Sequence, residues 1–82
     1  MITAFVLVTV STKRVAEVIE ALRKYPQVQE AAAVHGDTDI IVKVQADSLM
    51  EIDMVIMDNI QGNADVKTTR TYLVMEKLHW KK

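Results

Sequence analysis

Residues 2–10, ITAFVLVTV, contain no charge and are apolar or β-branched on both of their alternating faces. A strand with one face in water alternates apolar and polar residues, whereas a strand covered on both faces is apolar throughout. The segment therefore predicts a central strand of a sheet that is covered on both sides. With 82 residues, the chain has room for a single domain, residues 1–82.

The rest of the chain divides into five further segments. Helical spacing of apolar residues predicts two helices, and runs of apolar and β-branched residues predict three more strands. In chain order the segments are a helix at 13–25, strands at 28–34 and 40–44, a helix from Ser48 to Gly62, and a strand at 66–78. The order β-α-β-β-α-β predicts an α+β, ferredoxin-like sandwich. In this fold two helices cover one face of a four-stranded antiparallel sheet.

Composition excludes several classes of protein. There is no cysteine for a disulfide or a thiolate metal site, and the two histidines are far apart in the sequence, so no metal or cofactor is expected. The net charge of -1 argues against a nucleic-acid surface. The uncharged run at the start of the chain has no basic signal-peptide region before it and is too short to span a membrane. These features predict a cytoplasmic protein without membrane contact.

The sheet face opposite the helices is predicted to be apolar. If the even positions of the first strand face the helices, Phe5 and Leu7 lie on the other side, and Ile41 joins them from the third strand. The last strand adds either Tyr72 and Val74 or Leu73 and Met75. A chain this small buries only about 60% of its unfolded surface, and an exposed apolar patch marks an interface. We therefore predict a homodimer joined sheet to sheet through Phe5, Leu7, Ile41, Tyr72 and Val74.

Two motifs resemble one known family when they are taken together. The first is the G-x-x-D of Gly36 and Asp39, which follows AAAV and precedes IIVKV. The second is GNADVKTTRTYLVMEK at residues 62–77. Both resemble the C-terminal regulatory domain, or RAM domain, of the Lrp/AsnC transcription regulators, and the likeness covers almost the whole chain.

The resemblance implies a free amino acid as effector, bound near the Gly36 loop, the end of the second helix and the threonines of the last strand. Carboxylates in the loop suit an α-ammonium group. The candidate effector-binding residues are Gly36, Asp37, Thr38, Asp39, Asp58, Thr69 and Thr71. The loop composition is equally typical of an ordinary turn, and the threonines are good strand residues in any case.

The resemblance also carries a departure from the full-length family members, which have an N-terminal helix-turn-helix. Here the first strand begins at residue 2, so the chain resembles the stand-alone form of the domain. That form implies regulation of transcription or amino-acid metabolism through partners, such as full-length Lrp/AsnC-type regulators, without direct DNA binding. It also implies dimers assembled into a larger ring, such as an octamer.

Other functions remain open because this fold serves many of them. An ACT-like domain, another small-molecule sensor, has the same strand order. A small dimeric αβ-barrel enzyme of the monooxygenase type, or an acylphosphatase-like hydrolase, would need convergent polar groups, and the sequence has no cysteine nucleophile and no Ser-His-Asp signal. An RNA-binding sheet needs stacked aromatic residues, and this chain has only four aromatic residues. We expect no enzymatic activity.

Overall fold

The computed structural model describes residues 1–82, and its strands coincide with the segments of strongest β character. The four strands are β1 (Ile2–Val10), β2 (Val28–Ala33), β3 (Ile40–Ala46) and β4 (Val66–Leu73). The helices are α1 (Val15–Leu22) and α2 (Leu49–Met54), which continues as a π-helical segment (Val55–Ile60). A short 3₁₀ helix (Glu76–Leu78) follows β4.

The strands form one antiparallel sheet in the order β2-β3-β1-β4. The uncharged first strand lies inside the sheet, where Val6 pairs with Val42 on one side and with Thr71 on the other. The arrangement confirms the ferredoxin-like α+β fold that the element order predicts. Strands β2 and β4 are the two edges of the sheet.

Alternation along the two inner strands separates the core from the opposite face. Ala4, Val6 and Val8 of β1 are fully buried beneath the helices. In β3 the buried positions are again every second residue, from Ile40 to Ala46. The helices contribute Val18, Leu22, Ile52, Val55, Ile56 and Ile60 to the same core. The apolar stripe of each helix is thus buried in one core on the helix side of the sheet.

The last strand is shorter than the sequence predicts. It ends at Leu73, which pairs with Ala4, and the Val74 N–H then donates to the Thr3 carbonyl at 2.9 Å. Because β1 begins at Ile2, which is in register with Met75, the residues beyond Met75 have no neighbouring strand to pair with. A run of β-forming residues therefore leaves the sheet where its partner ends.

The second helix begins as predicted and ends differently. The Ser48 hydroxyl accepts a hydrogen bond from the Glu51 N–H at 3.2 Å, which caps the helix. From Val55 onward the helix widens, and the Gln61 N–H donates to the Ile56 carbonyl, five residues back, at 2.7 Å. None of the helices combines the length and the apolar character needed to cross a membrane.

Candidate functional site

The loop between β2 and β3 is tied to the end of β1 by its own side chains. The Asp39 N–H donates to the Val8 carbonyl at 2.9 Å, and the Thr38 hydroxyl donates to the same carbonyl at 2.8 Å. One Asp39 carboxylate oxygen accepts from the Val10 N–H at 2.7 Å. Because the pairing of β1 with β3 ends at Val8, the Asp39 carboxylate replaces the carbonyl that a longer β3 would offer. The loop is a fixed extension of the sheet.

Gly36 and Asp37 form the exposed tip of this loop. Gly36 has φ of 154°, the one positive value in the chain, and a residue with a Cβ rarely adopts it. Asp37 is exposed and takes part in no ion pair. The loop therefore holds the Asp37 carboxylate next to the sheet without a partner of its own.

An open concavity of about 550 Å³ lies where this loop meets β1 and β4. The Thr9 and Thr68 hydroxyls hydrogen-bond to each other across the two strands. Asp37 supplies an anionic group and Arg70 a cationic one, and neither is in an ion pair. The lining residues are Leu7, Thr9, Asp37, Thr38, Thr68, Thr69 and Arg70. The concavity thus combines both signs of charge, hydroxyl groups and one apolar side chain.

The structure brings together part of the predicted effector set. Asp37, Thr38 and Thr69 line the concavity, and Gly36 and Asp39 flank them in the loop. Thr69 pairs with the buried Val8, so its side chain lies on the helix side of β4, as that of Thr71 does, and its hydroxyl accepts from the Gln61 side-chain amide at 2.8 Å.

Two predicted effector residues lie elsewhere. Thr71 pairs with the buried Val6, so it lies on the helix side of β4 and does not line the concavity. Asp58, in the π-helical segment, lines a separate groove of about 160 Å³ with Gln27 and Glu51. Neither residue meets Asp37 within one chain.

Arg70 is the residue that the sequence reasoning missed. It pairs with Leu7 and lies on the same face of β4 as Tyr72. The alternation of KTTRTYL contains this information, since residues two apart in a strand share a face. The sequence analysis predicts only subunit contact for this face and no ligand-binding role for Arg70.

The apolar part of the open face is continuous with the concavity. Phe5 lies opposite Tyr72 and Leu7 lies opposite Ile41, all on the side away from the helices. Alternation carries Val74 to the same side as Tyr72. Tyr72 remains 50% exposed. The five residues predicted for the dimer interface thus share one face, to which β4 contributes Tyr72; Val74 is the residue just after that strand.

No group of three or more His, Cys, Asp or Glu side chains in residues 1–82 is placed to hold a metal ion. The groups that line the concavity, Asp37, Arg70 and the threonines, offer hydrogen bonds and charge pairing to a ligand.

Comparison with known proteins identifies the family. The Lrp/AsnC ligand binding domain matches residues 3–79. The HTH-type transcriptional regulator FL11 of Pyrococcus furiosus is 32% identical over 78 residues, which are 95% of this chain and 50% of that regulator. The crystal structure of TTHA0845 from Thermus thermophilus is similar to this chain at 33% identity, with a TM-score of 0.89. The match covers 100% of this chain and 100% of that one.

A more distant structure shares the fold. The transcriptional regulator NMB0573 of Neisseria meningitidis, solved as an L-Met complex, has a TM-score of 0.83 at 20% identity. The match covers 96% of this chain and 53% of that one. The chain spans about half the length of the curated regulators it matches. It belongs to the Lrp/AsnC ligand binding domain family.

Proposed function

We propose that this protein is an effector-sensing module that binds a free amino acid in the concavity between the Gly36 loop, β1 and β4. Arg70 holds the α-carboxylate and Asp37 holds the α-ammonium group. Leu7 and the threonines contact the remainder of the molecule. The module carries no catalytic function of its own.

One observation carries this proposal: an unpaired carboxylate and an unpaired guanidinium line the same concavity. A free amino acid presents both complementary charges within a few ångströms of each other. Arginine suits the planar carboxylate because it can donate two parallel hydrogen bonds. A ligand with only one of the two charges would satisfy only half of the site. The L-Met complex of the more distant regulator is consistent with this ligand class.

The remaining predicted residues have supporting roles in the proposal. Gly36 allows the turn at the loop tip, and Thr38 and Asp39 fix the loop on β1 through their bonds to Val8 and Val10. Thr69 borders the concavity, and its hydroxyl ties β4 to Gln61 at the end of the second helix. Contact of Thr71 and Asp58 with the effector stays a prediction that needs a neighbouring subunit, because they do not reach the concavity in one chain.

We infer a homodimer in which the apolar face of Phe5, Leu7, Ile41, Tyr72 and Val74 packs on its counterpart. The support is the half-exposed Tyr72 and the placement of these side chains on one uncovered face. Leu7 belongs both to this face and to the concavity, so a partner subunit would form part of the effector's surroundings. Assembly of dimers into a ring such as an octamer is the larger form that we propose.

We propose further that the chain acts through partners, such as full-length Lrp/AsnC-type regulators, and does not read DNA itself. The net charge of -1 supports this, because binding the phosphate backbone requires a cluster of basic residues.

The test is a thermal-shift screen against the twenty amino acids, with light scattering of the free protein beside it. A ligand at about 100 times its dissociation constant adds roughly 2.7 kcal/mol to the folded state. For a domain of this size that raises the melting temperature by about 10 to 20 °C. The proposal expects such a rise for one or a few amino acids.

Calorimetric titration of the selected amino acid then tests the two charged contacts. Arg70→Gln should weaken binding by about tenfold or more, whereas Lys67→Gln, which removes a neighbouring exposed cation of β4, should leave it unchanged. The N-acetylated ligand and the corresponding amine without a carboxylate should both bind weakly. Equal binding by wild type and Arg70→Gln would refute the assignment of the carboxylate.

A further inference from the structure

The second helix exposes a stripe of methionines. Met50, Met54 and Met57 are 72%, 55% and 63% exposed, although each is a large apolar side chain. Their spacing of four and three residues places them along one side of the helix. Exposed methionines are typical of binding surfaces that adapt to a partner, because the side chain is flexible and polarizable.

The same helix is strongly acidic. From Asp47 to Val66 the chain contains no lysine or arginine, and the exposed acidic side chains are Asp47, Glu51, Asp53 and Asp58. None of these four is in an ion pair. With 3.6 residues per turn, Glu51 and Asp53 lie on opposite sides of the line from Met50 to Met54. The surface is therefore an apolar stripe between carboxylates.

The C-terminal tail, residues 75–82, has the complementary character. Leu78 is 79% exposed and Trp80 is 81% exposed. Lys77, Lys81 and Lys82 outnumber the single acidic residue, Glu76. Met75, at the start of the tail, is 69% exposed as well. The tail therefore places Leu78 and Trp80 among cations and leaves both uncovered within its own chain.

We propose that the tail of one molecule docks on the methionine stripe of a second copy of this chain. Leu78 and Trp80 pack on Met50, Met54 and Met57, and the tail lysines pair with the carboxylates beside the stripe. The contact is heterologous, because each copy offers its tail to one neighbour and its helix to another.

The spacing of the two surfaces supports this pairing. Residues 78 and 80 of an extended segment lie roughly 6.6 Å apart at about 3.3 Å per residue, and His79 between them has an extended backbone. Met50 and Met54 are separated by roughly 6 Å along the helix axis, at about 1.5 Å per residue. Two anchors of the tail therefore match one turn of the helix.

Trp80 is the only tryptophan, so its fluorescence reports directly on docking. In the full chain its emission should move to shorter wavelength as the protein concentration rises, and added salt should reverse the change. Met50→Gln with Met54→Gln, which keeps the side-chain length but adds amides, should weaken the concentration-dependent shift by about tenfold. A shift that does not depend on concentration would mean docking within one chain and would overturn the proposal.

Charge exchange tests whether two copies are involved. The helix variant is Glu51→Lys with Asp53→Lys, and the tail variant is Lys81→Glu with Lys82→Glu. Each variant alone should associate about tenfold more weakly, because two attractive pairs become repulsive. Mixing the two variants restores opposite charges only between different molecules, so the mixture should recover the shift. All four positions are exposed, so the variants should remain folded, which circular dichroism checks.

The matched control is Glu17→Lys with Glu20→Lys, which makes the same change of charge at two exposed positions of α1. It should leave the Trp80 emission unchanged. Failure of the mixture to recover the shift, or an equal effect of the control, would overturn the proposal. Amino-acid binding does not enter this experiment, so its outcome is independent of the effector site.

Discussion

The bond between Asp39 and the Val10 N–H yields a quantitative prediction about the loop. Asp39→Ala removes a charged acceptor 2.7 Å from a backbone donor that lies beyond the last residue of β1 paired with β3. Losing a hydrogen bond to a charged group costs about 1.5 to 3 kcal/mol. Because this bond is part-buried, we expect a loss at the lower end, about 1.5 kcal/mol.

That loss should lower the melting temperature by about 6 to 12 °C, at roughly 4 to 8 °C per kcal/mol for a domain of this size. Calorimetry and urea denaturation would measure it, and the midpoint should fall while the denaturant dependence stays the same. Asp39→Asn keeps an oxygen acceptor and should recover part of the stability. Effector affinity should also fall in Asp39→Ala, because the loop that carries Asp37 is less firmly held.

Asp37→Ala is the matched control, two residues away in the same loop. Its side chain is exposed and forms no hydrogen bond or ion pair, so stability should change by no more than about 0.5 kcal/mol. Amino-acid binding should nevertheless be weakened. If Asp39→Ala and Asp37→Ala have equal melting temperatures, the structural role given to the Asp39 carboxylate is wrong.

Two further substitutions test the open face and the loop tip. Leu7→Asp puts a charge on the apolar face and should give a monomer or an unfolded chain by light scattering. The control Lys67→Asp changes an exposed residue of β4 and should keep the assembly. An unchanged oligomer in Leu7→Asp would refute the interface. In Gly36→Ala the added Cβ has no atom within 4 Å, so only backbone strain should reduce the free energy of unfolding, by about 1 to 3 kcal/mol. Denaturation would measure this loss, and an unchanged stability would show that the loop relaxes without loss.

The fold was predictable because its information is local and periodic. The uncharged run of β1 indicated a central strand, and the Ser48 and Glu51 pair marked the start of the second helix. The end of β4 was not predictable from its composition. VKTTRTYLVMEKL favours a strand throughout, but pairing stops where β1 begins. Strand length depends on a partner that is distant in sequence.

The candidate site divides in the same way. The Gly36 loop was recognisable from a short motif, since a glycine at positive φ and two aspartates are local features. Arg70 is absent from the predicted set, because only the folded sheet brings it to the same concavity as Asp37. Thr71 is predicted from the threonine pair of the family resemblance and Asp58 from its position alone. The sheet directs Thr71 to the helix side, and the helix carries Asp58 to a separate groove.

The order of the elements, the apolar stripes that form the core and the Gly36 loop motif can be read from the sequence alone. Only the folded chain shows which charges meet at the concavity, that Tyr72 and Val74 share the face of Phe5 and Leu7, and which large apolar groups stay uncovered. The physical reason is the range of each constraint. Backbone preference and periodic burial act between near neighbours in sequence, whereas a binding site requires residues that only the folded sheet brings together.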